Sequence, residues 1–68
     1  MRETLVDAAL SSARGNLKRH KANVEVYLTN PVGIGEHSDI LEAIETELDA
    51  MSKYEERIQI LEKYFEKK

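Results

Sequence analysis

Apolar side chains follow one face of each half of the chain at helical spacing. Beginning at Val6, the first stripe advances by alternating steps of four and three residues, the heptad pattern of a packed helix. The second half carries a similar stripe that begins at Leu41. The first stripe is Val6, Leu10, Ala13, Leu17, His20, Val24 and Tyr27, and the second is Leu41, Ile44, Leu48, Met51, Tyr54, Ile58, Leu61 and Phe65. The pattern predicts two long amphipathic helices.

A helix-breaking segment separates the two stripes. Pro31 disfavours helical geometry at Asn30, and two glycines follow that permit turn conformations. Ser38 or Asp39 is expected to cap the second helix. We therefore predict an all-α fold, an antiparallel two-helix hairpin that forms a single domain. Its expected bounds are residues 1–68, with helices over about 3–28 and 39–66 and a loop at 29–38.

Two positions depart from a regular heptad seam. The three-residue step between Met51 and Tyr54 either overwinds a coiled coil locally or widens the apolar face of an ordinary bundle helix. Gly15 falls on the outward face of the first helix and costs roughly 1 kcal/mol relative to alanine. We expect Gly15 to be the weakest point of that helix.

A hairpin of 68 residues has only two helices with which to cover its apolar faces. A core of this size rarely contributes more than ~3–5 kcal/mol, and small domains add disulfides, a metal or a partner. The chain has no cysteine and two histidines, so we expect neither disulfides nor a structural metal. We therefore predict self-association into a homodimer, most simply a four-helix bundle, or into a higher oligomer.

The predicted seam includes one histidine. Its members are Leu10, Leu17, His20, Val24, Leu41, Ile44, Leu48, Met51, Tyr54, Ile58 and Leu61. His20 either fixes the register and makes assembly sensitive to pH, or is a half-buried histidine bonded to a carboxylate or to Tyr54. We favour the second interpretation.

Charge is shared unevenly between the halves. Residues 1–30 carry five basic and three acidic side chains, whereas residues 31–68 carry five basic and ten acidic ones. We expect the basic side chains Arg14, Lys18, Arg19 and Lys21 to lie opposite Glu45, Glu47 and Asp49, within the chain or across a dimer. The alternative is that the same four basic residues contact nucleic acid. We expect charge pairing, because the chain as a whole is acidic.

Catalytic motifs are missing from this sequence. A di-iron bundle needs Glu-x-x-His on its helices, and nucleophilic catalysis needs a serine or cysteine near a histidine partner. We interpret the many carboxylates of the second helix as a solvated face: Glu42, Glu45, Glu47, Asp49, Glu55, Glu56, Glu62 and Glu66. We therefore expect no enzyme, no catalytic residue, no cofactor and no metal.

Two regions are left as candidate protein-contact surfaces. In the loop, Val32 and Ile34 are too apolar for a purely solvated turn, and with Glu36 and His37 they form the first candidate surface. Near the C-terminus, Tyr64 and Phe65 point about 100° apart on a helix, so both cannot face one seam.

We also expect no signal peptide and no membrane partner, because no apolar run approaches the ~20 residues needed to span a bilayer.

The segment HKANVEVYLTNPVGIGEHSDILEAIETELD, followed by YEERIQILEKYF, resembles a family of small proteins of no established activity encoded by tailed phages of marine cyanobacteria and related ocean bacteria. The resemblance covers nearly the whole chain and is centred on NPVGIGEHSDILEAI, residues 30–44. It implies a phage protein in the cytoplasm of the infected bacterial host, or associated with the virion. The expected function is that of a non-catalytic accessory or structural protein that binds itself and a phage or host protein.

Overall fold

The computed structural model describes residues 1–29 and 39–66. Helix α1 spans Arg2–Thr29, and helix α2 spans Ile40–Ile60 and runs directly into a π-helical turn at Leu61–Phe65. The two helices pack against each other antiparallel, and no strand occurs within these described ranges. The predicted all-helical hairpin is thereby confirmed, with α1 beginning at Arg2.

Helix α2 begins at a capped turn. The carboxylate of Asp39 accepts a hydrogen bond of 2.8 Å from the backbone N–H of Glu42, one of the donors that a helix start leaves unsatisfied. Asp39 is thus the cap that the sequence predicted as one of two choices. The other choice, Ser38, lies outside the described residues.

We call α2 together with the π-helical turn that follows it the second arm. Its last turn is wider than an α-helical turn. The backbone N–H of Glu66 donates to the carbonyl of Leu61 at 2.9 Å, five residues back instead of four. The guanidinium of Arg2 donates to the carbonyl of Phe65 at 2.9 Å. The second helix was expected over about residues 39–66, and its final turn is π-helical. Arg2 links this turn to the start of α1.

Tight burial is confined to one place in the hairpin. Among the described residues, Leu10 and Ala13 are the two buried hydrophobic side chains, each 1 % exposed. The methyl group of Ala13 lets the two helices approach closely there. The rest of the interface is half-buried: Val6, Leu17, His20, Val24 and Tyr27 on α1, Ile40, Ile44, Met51, Tyr54 and Ile58 on α2, and Leu61 in the π-helical turn.

Two members of the predicted seam lie outside the core of the single chain. Leu41 is 65 % exposed and Leu48 is 45 % exposed. Both sit on a flank of α2 and not on the face that packs against α1. Their predicted role as dimer-seam residues stays a prediction, whereas a role in the intramolecular core is wrong for both.

The hairpin is a narrow rod. Its principal extents are 47 × 15 × 15 Å and its radius of gyration is 15.2 Å, compared with about 11 Å for a globular chain of this length. Its accessible surface is 5334 Å², compared with about 4,400 Å² for a globular monomer of this mass. A single copy therefore leaves more surface in water than a compact domain of equal size.

Candidate functional site

A polar cluster lies halfway along the interface between α1 and α2. The Nδ1 atom of His20 lies 2.6 Å from Oε1 of Glu47, and the side-chain amide of Asn23 donates to the same oxygen at 3.1 Å. The His20 and Glu47 side chains are each 16 % exposed. The half-buried histidine bonded to a carboxylate, which the sequence favoured, is what the structure shows.

The second ring nitrogen of His20 determines which tautomer fits this cluster. An Nη atom of Arg19 lies 3.3 Å from Nε2 of His20. A guanidinium can only donate, so Nε2 accepts and the proton resides on Nδ1. The Nδ1–H then donates to the Glu47 carboxylate, and both ring nitrogens are satisfied by neighbours on the two helices.

Hydrogen bonding controls the ionisation of Glu47. The hydrogen bonds from His20 and then Asn23 lower the pKa of this carboxyl group, and the positive charges of a protonated His20 and of Arg19 act in the same direction. Burial opposes them by penalising the charged form. The net pKa is below the ordinary value for glutamate, so Glu47 is a carboxylate at neutral pH.

Tyr54 closes the cluster on the α2 side. Its ring stacks on His20 with centroids 5.8 Å apart and planes inclined by 13°. Two cations of the same helix approach the Tyr54 ring: Nζ of Lys53 at 4.8 Å and Cζ of Arg57 at 5.1 Å from the centroid. These stacking and cation–π contacts fix the orientation of the tyrosine beside the histidine.

The chemistry open to this cluster is limited. A histidine oriented by a carboxylate resembles the base and its orienting group in a catalytic triad, which also needs a nucleophile at the free ring nitrogen. In this chain the side chain next to that nitrogen is Arg19. Within residues 1–29 and 39–66, no group of three potential metal ligands is assembled. The arrangement serves to position the two helices, with all its partners supplied by the chain itself.

Sequence reasoning missed two members of this cluster. Glu47 was assigned to a solvated carboxylate face, and that assignment is wrong because its side chain is mostly buried at the interface. The signal was present: Glu47 lies three residues after Ile44 and four before Met51, inside the apolar stripe. Asn23 carries the same signal, because it follows His20 by three residues.

The open end of the hairpin presents a second candidate site. Tyr64 is 64 % exposed and Phe65 is 47 % exposed, and their rings meet edge to face with centroids 6.4 Å apart. Together with Met1 and Arg2 they line an open concavity of about 510 Å³. We call these four residues the aromatic edge.

The other predicted contact surface cannot be compared with the structure. Val32, Ile34, Glu36 and His37 lie outside the described residues, so their assignment stays a prediction. The aromatic edge is at the opposite end of the hairpin from the termini of the helices that this loop joins.

The basic residues of α1 do not form one free cationic surface. Arg14 makes an ion pair of 2.8 Å with Glu62, and Arg19 contacts His20. Lys18 and Lys21 are exposed. Arg14 was expected opposite Glu45, Glu47 or Asp49, within the chain or across a dimer. Within the chain it pairs with Glu62 instead, whereas His20, beside Arg19, does lie opposite Glu47.

Comparison with known proteins adds no further constraint. No family model, curated protein or solved structure matches the chain. Neither α1 nor α2, nor any other helical segment in the described ranges, is long and apolar enough to cross a bilayer.

Proposed function

We propose that this chain is a non-catalytic accessory or structural protein, of the phage type that its sequence resembles, acting by self-association and by binding another protein. The observation that carries the proposal is the imbalance between buried and exposed apolar side chains. Two hydrophobic side chains are fully buried among the described residues, whereas Leu41, Tyr64 and Phe65 are each about half exposed or more. Exposed apolar surface of this extent is typical of an interaction site.

The aromatic edge is the surface proposed for the second protein. Tyrosine and arginine are enriched among the residues that dominate protein interfaces, and Tyr64 and Arg2 line the same concavity here. The ring of Tyr64 also carries a cation, with Nζ of Lys63 at 5.2 Å from its centroid. A partner that covers this edge gains apolar burial from Phe65 and Met1 as well.

The polar cluster supports a structural role for the hairpin itself. His20, Glu47 and Asn23 saturate one another, and within the described residues no buried side-chain nitrogen or oxygen lacks a partner. A catalytic site keeps at least one group available for the substrate. The contacts made by Arg14 and Arg19 likewise favour charge pairing within the chain over binding of nucleic acid.

Site-specific photo-crosslinking tests the proposed contact. A photoreactive amino acid at Tyr64 is expected to trap a discrete adduct with another protein in producing or infected cells. The matched control carries the same group at Ser52, an exposed position in the middle of α2. A defined adduct from position 64 and none from position 52 supports the proposal.

Two results contradict it. Equal crosslinking from both positions means that the aromatic edge has no specific partner. Salt-dependent binding of duplex DNA that is lost when Lys18 and Lys21 are replaced by glutamine would instead assign the chain to nucleic-acid binding.

A further inference from the structure

One flank of the hairpin is defined by the ion pair between Arg14 and Glu62. Residues seven apart on a helix lie on nearly the same face, with a drift of about 20° per heptad. Steps of seven from Arg14 reach Lys21 and Leu28 on α1. Steps of seven back from Glu62 reach Glu55, Leu48 and Leu41 on the second arm. We call these seven residues the Arg14 flank.

The Arg14 flank is apolar towards the loop end of the hairpin and charged towards the open end. Towards the loop end it carries Leu28, Leu41 and Leu48, which are 60 %, 65 % and 45 % exposed. Towards the open end it carries Arg14 and Glu62, with side chains 50 % and 43 % exposed, and the exposed Glu55. On α1 its charges are basic, and on the second arm they are acidic.

The accessible surface area of the chain indicates what kind of partner covers the Arg14 flank. The hairpin exposes 5334 Å², roughly 900 Å² more than a globular monomer of its mass. A standard protein interface buries about 800 Å² on each partner. The excess surface of one copy is therefore the amount that one stable dimer interface removes.

We propose that the Arg14 flank is occupied by the same flank of a second copy, related by a two-fold axis parallel to the helices. This inference rests on the self-association in the proposed function and specifies its geometry. Such an axis places α1 of each copy across from α2 of the other, antiparallel and at the same height. The product is a four-helix bundle in which both loops lie at one end.

The register of the single hairpin shows which residues then meet. His20 and Asn23 both bond to Glu47, so Leu28 lies level with residues 39–42, at the first turn of α2. Leu28 of one copy therefore meets Leu41 of the other. Arg14 of one copy likewise reaches the level of Glu55 and Glu62 of the other, where unlike charges meet.

The reversed arrangement is disfavoured by charge. An axis perpendicular to the helices places α1 across from α1 and α2 across from α2. Arg14 and Lys21 would then face basic residues, and Glu55 would face either acidic residues or Leu41. Like charges that face each other across an interface weaken binding. The axis parallel to the helices instead places the basic residues of α1 opposite the acidic residues of the second arm.

Distances between spin labels distinguish the two arrangements. The chain has no cysteine, so Thr4→Cys and Gly15→Cys each give one label per copy. These exposed positions lie eleven residues apart, close to three full turns of α1. With the parallel axis, the label-to-label distance is expected to be the same at both positions. With the reversed axis the labels of the two copies move in opposite directions along the helices, so their separation along the helix axis is longer at position 4 than at position 15, by up to about 33 Å for a 1.5 Å rise per residue.

A pair of matched variants tests the flank itself. Leu28→Ser is expected to raise the dissociation constant of the dimer by tenfold or more, because a buried leucine is lost from each copy. Val26→Ser removes a side chain of similar exposure, 56 %, from another face two residues away, and is expected to leave the dissociation constant within about threefold of the parent value. Circular dichroism verifies that both variants remain helical.

The outcomes separate the geometry from the proposed function. Equal distances and a Leu28-specific loss support the Arg14 flank. A dimer with unequal distances, or one weakened more by Val26→Ser, overturns this geometry and leaves self-association intact. A 7.8 kDa monomer in sedimentation equilibrium at all concentrations up to the millimolar range overturns both.

Discussion

The Nδ1 atom of His20 and the Oε1 atom of Glu47 approach to 2.6 Å across the helical interface, at a point where both side chains are mostly withdrawn from water. A hydrogen bond to a carboxylate is among the stronger polar interactions in proteins. Asn23 adds a second donor to the same oxygen. Because Glu47 is the shared acceptor, removing its carboxylate leaves Nδ1 of His20 and the amide of Asn23 without this partner in a half-buried site.

Replacing Glu47 by glutamine is expected to destabilise the folded chain by about 1–2 kcal/mol, since the charged acceptor of two hydrogen bonds becomes a neutral amide. Urea denaturation at pH 7 and a fixed chain concentration measures the change. Glu45→Gln is the control, because Glu45 is exposed on the same helix, and its change should stay within about 0.5 kcal/mol. Equal effects of the two substitutions would show that the bonds of Glu47 add nothing to stability.

The lowered pKa of Glu47 predicts the direction of an acid transition. A carboxyl group whose pKa is lower in the folded chain stabilises the fold above its unfolded pKa, ~4.3 for glutamate. That contribution is lost as the pH falls through the folded value. We expect the side-chain carboxyl carbon of Glu47 to titrate in NMR spectra at a pH below the ordinary value for glutamate. A midpoint at or above that ordinary value contradicts the bonded geometry.

Gly15 lies in the middle of α1 with no heavy atom within 4 Å of the position that a Cβ would take, apart from its helical neighbours. Alanine in its place is therefore expected to raise the free energy of unfolding by about 0.5–1 kcal/mol. Ala22→Gly, at another exposed site of the same helix, should lower it by a similar amount. Thermal denaturation followed by circular dichroism measures both, and a destabilising Gly15→Ala would mean that the glycine is needed for a contact with another molecule.

The ion pair between Arg14 and Glu62 is partly exposed and is expected to contribute little. A double-mutant cycle with Arg14→Gln and Glu62→Gln should give a coupling energy of about 0.2–1 kcal/mol at low salt. Raising the ionic strength to 1 M should reduce it. A coupling energy indistinguishable from zero at low salt would show that the two side chains do not pair in solution.

The hairpin could be predicted from the sequence because its signals are local. The two stripes repeat over many turns, Pro31 predicts the end of the first helix, and Asp39 is followed three residues later by the N–H that it caps. Each of these features involves residues that are near one another in the chain. Such patterns fix the type of element and its approximate ends.

The site depends on relations that sequence patterns do not contain. Whether Arg14 meets Glu62 or an acidic residue nearer the loop depends on how the two helices cross. The sequence offers acidic side chains at both levels of the second helix. Leu41 and Leu48 share a heptad stripe with Met51, yet they are exposed, because the half-buried face of α2 runs through Ile40, Ile44 and Glu47 instead. Nothing in the composition of Leu61–Phe65 marks a turn that is closed by a hydrogen bond five residues back.

That π-helical turn has a consequence for how the aromatic edge is oriented. Adding or removing one residue in a helix rotates all the following residues by about 100° about the helix axis. Deleting a single residue between Leu61 and Tyr64 should restore an ordinary spiral and turn Tyr64 and Phe65 away from Arg2, with no change in the chemical identity of either ring. The direction in which these two rings point therefore depends on the number of residues in the π-helical turn. An insertion or deletion there is expected to alter recognition of a partner more than most single side-chain substitutions.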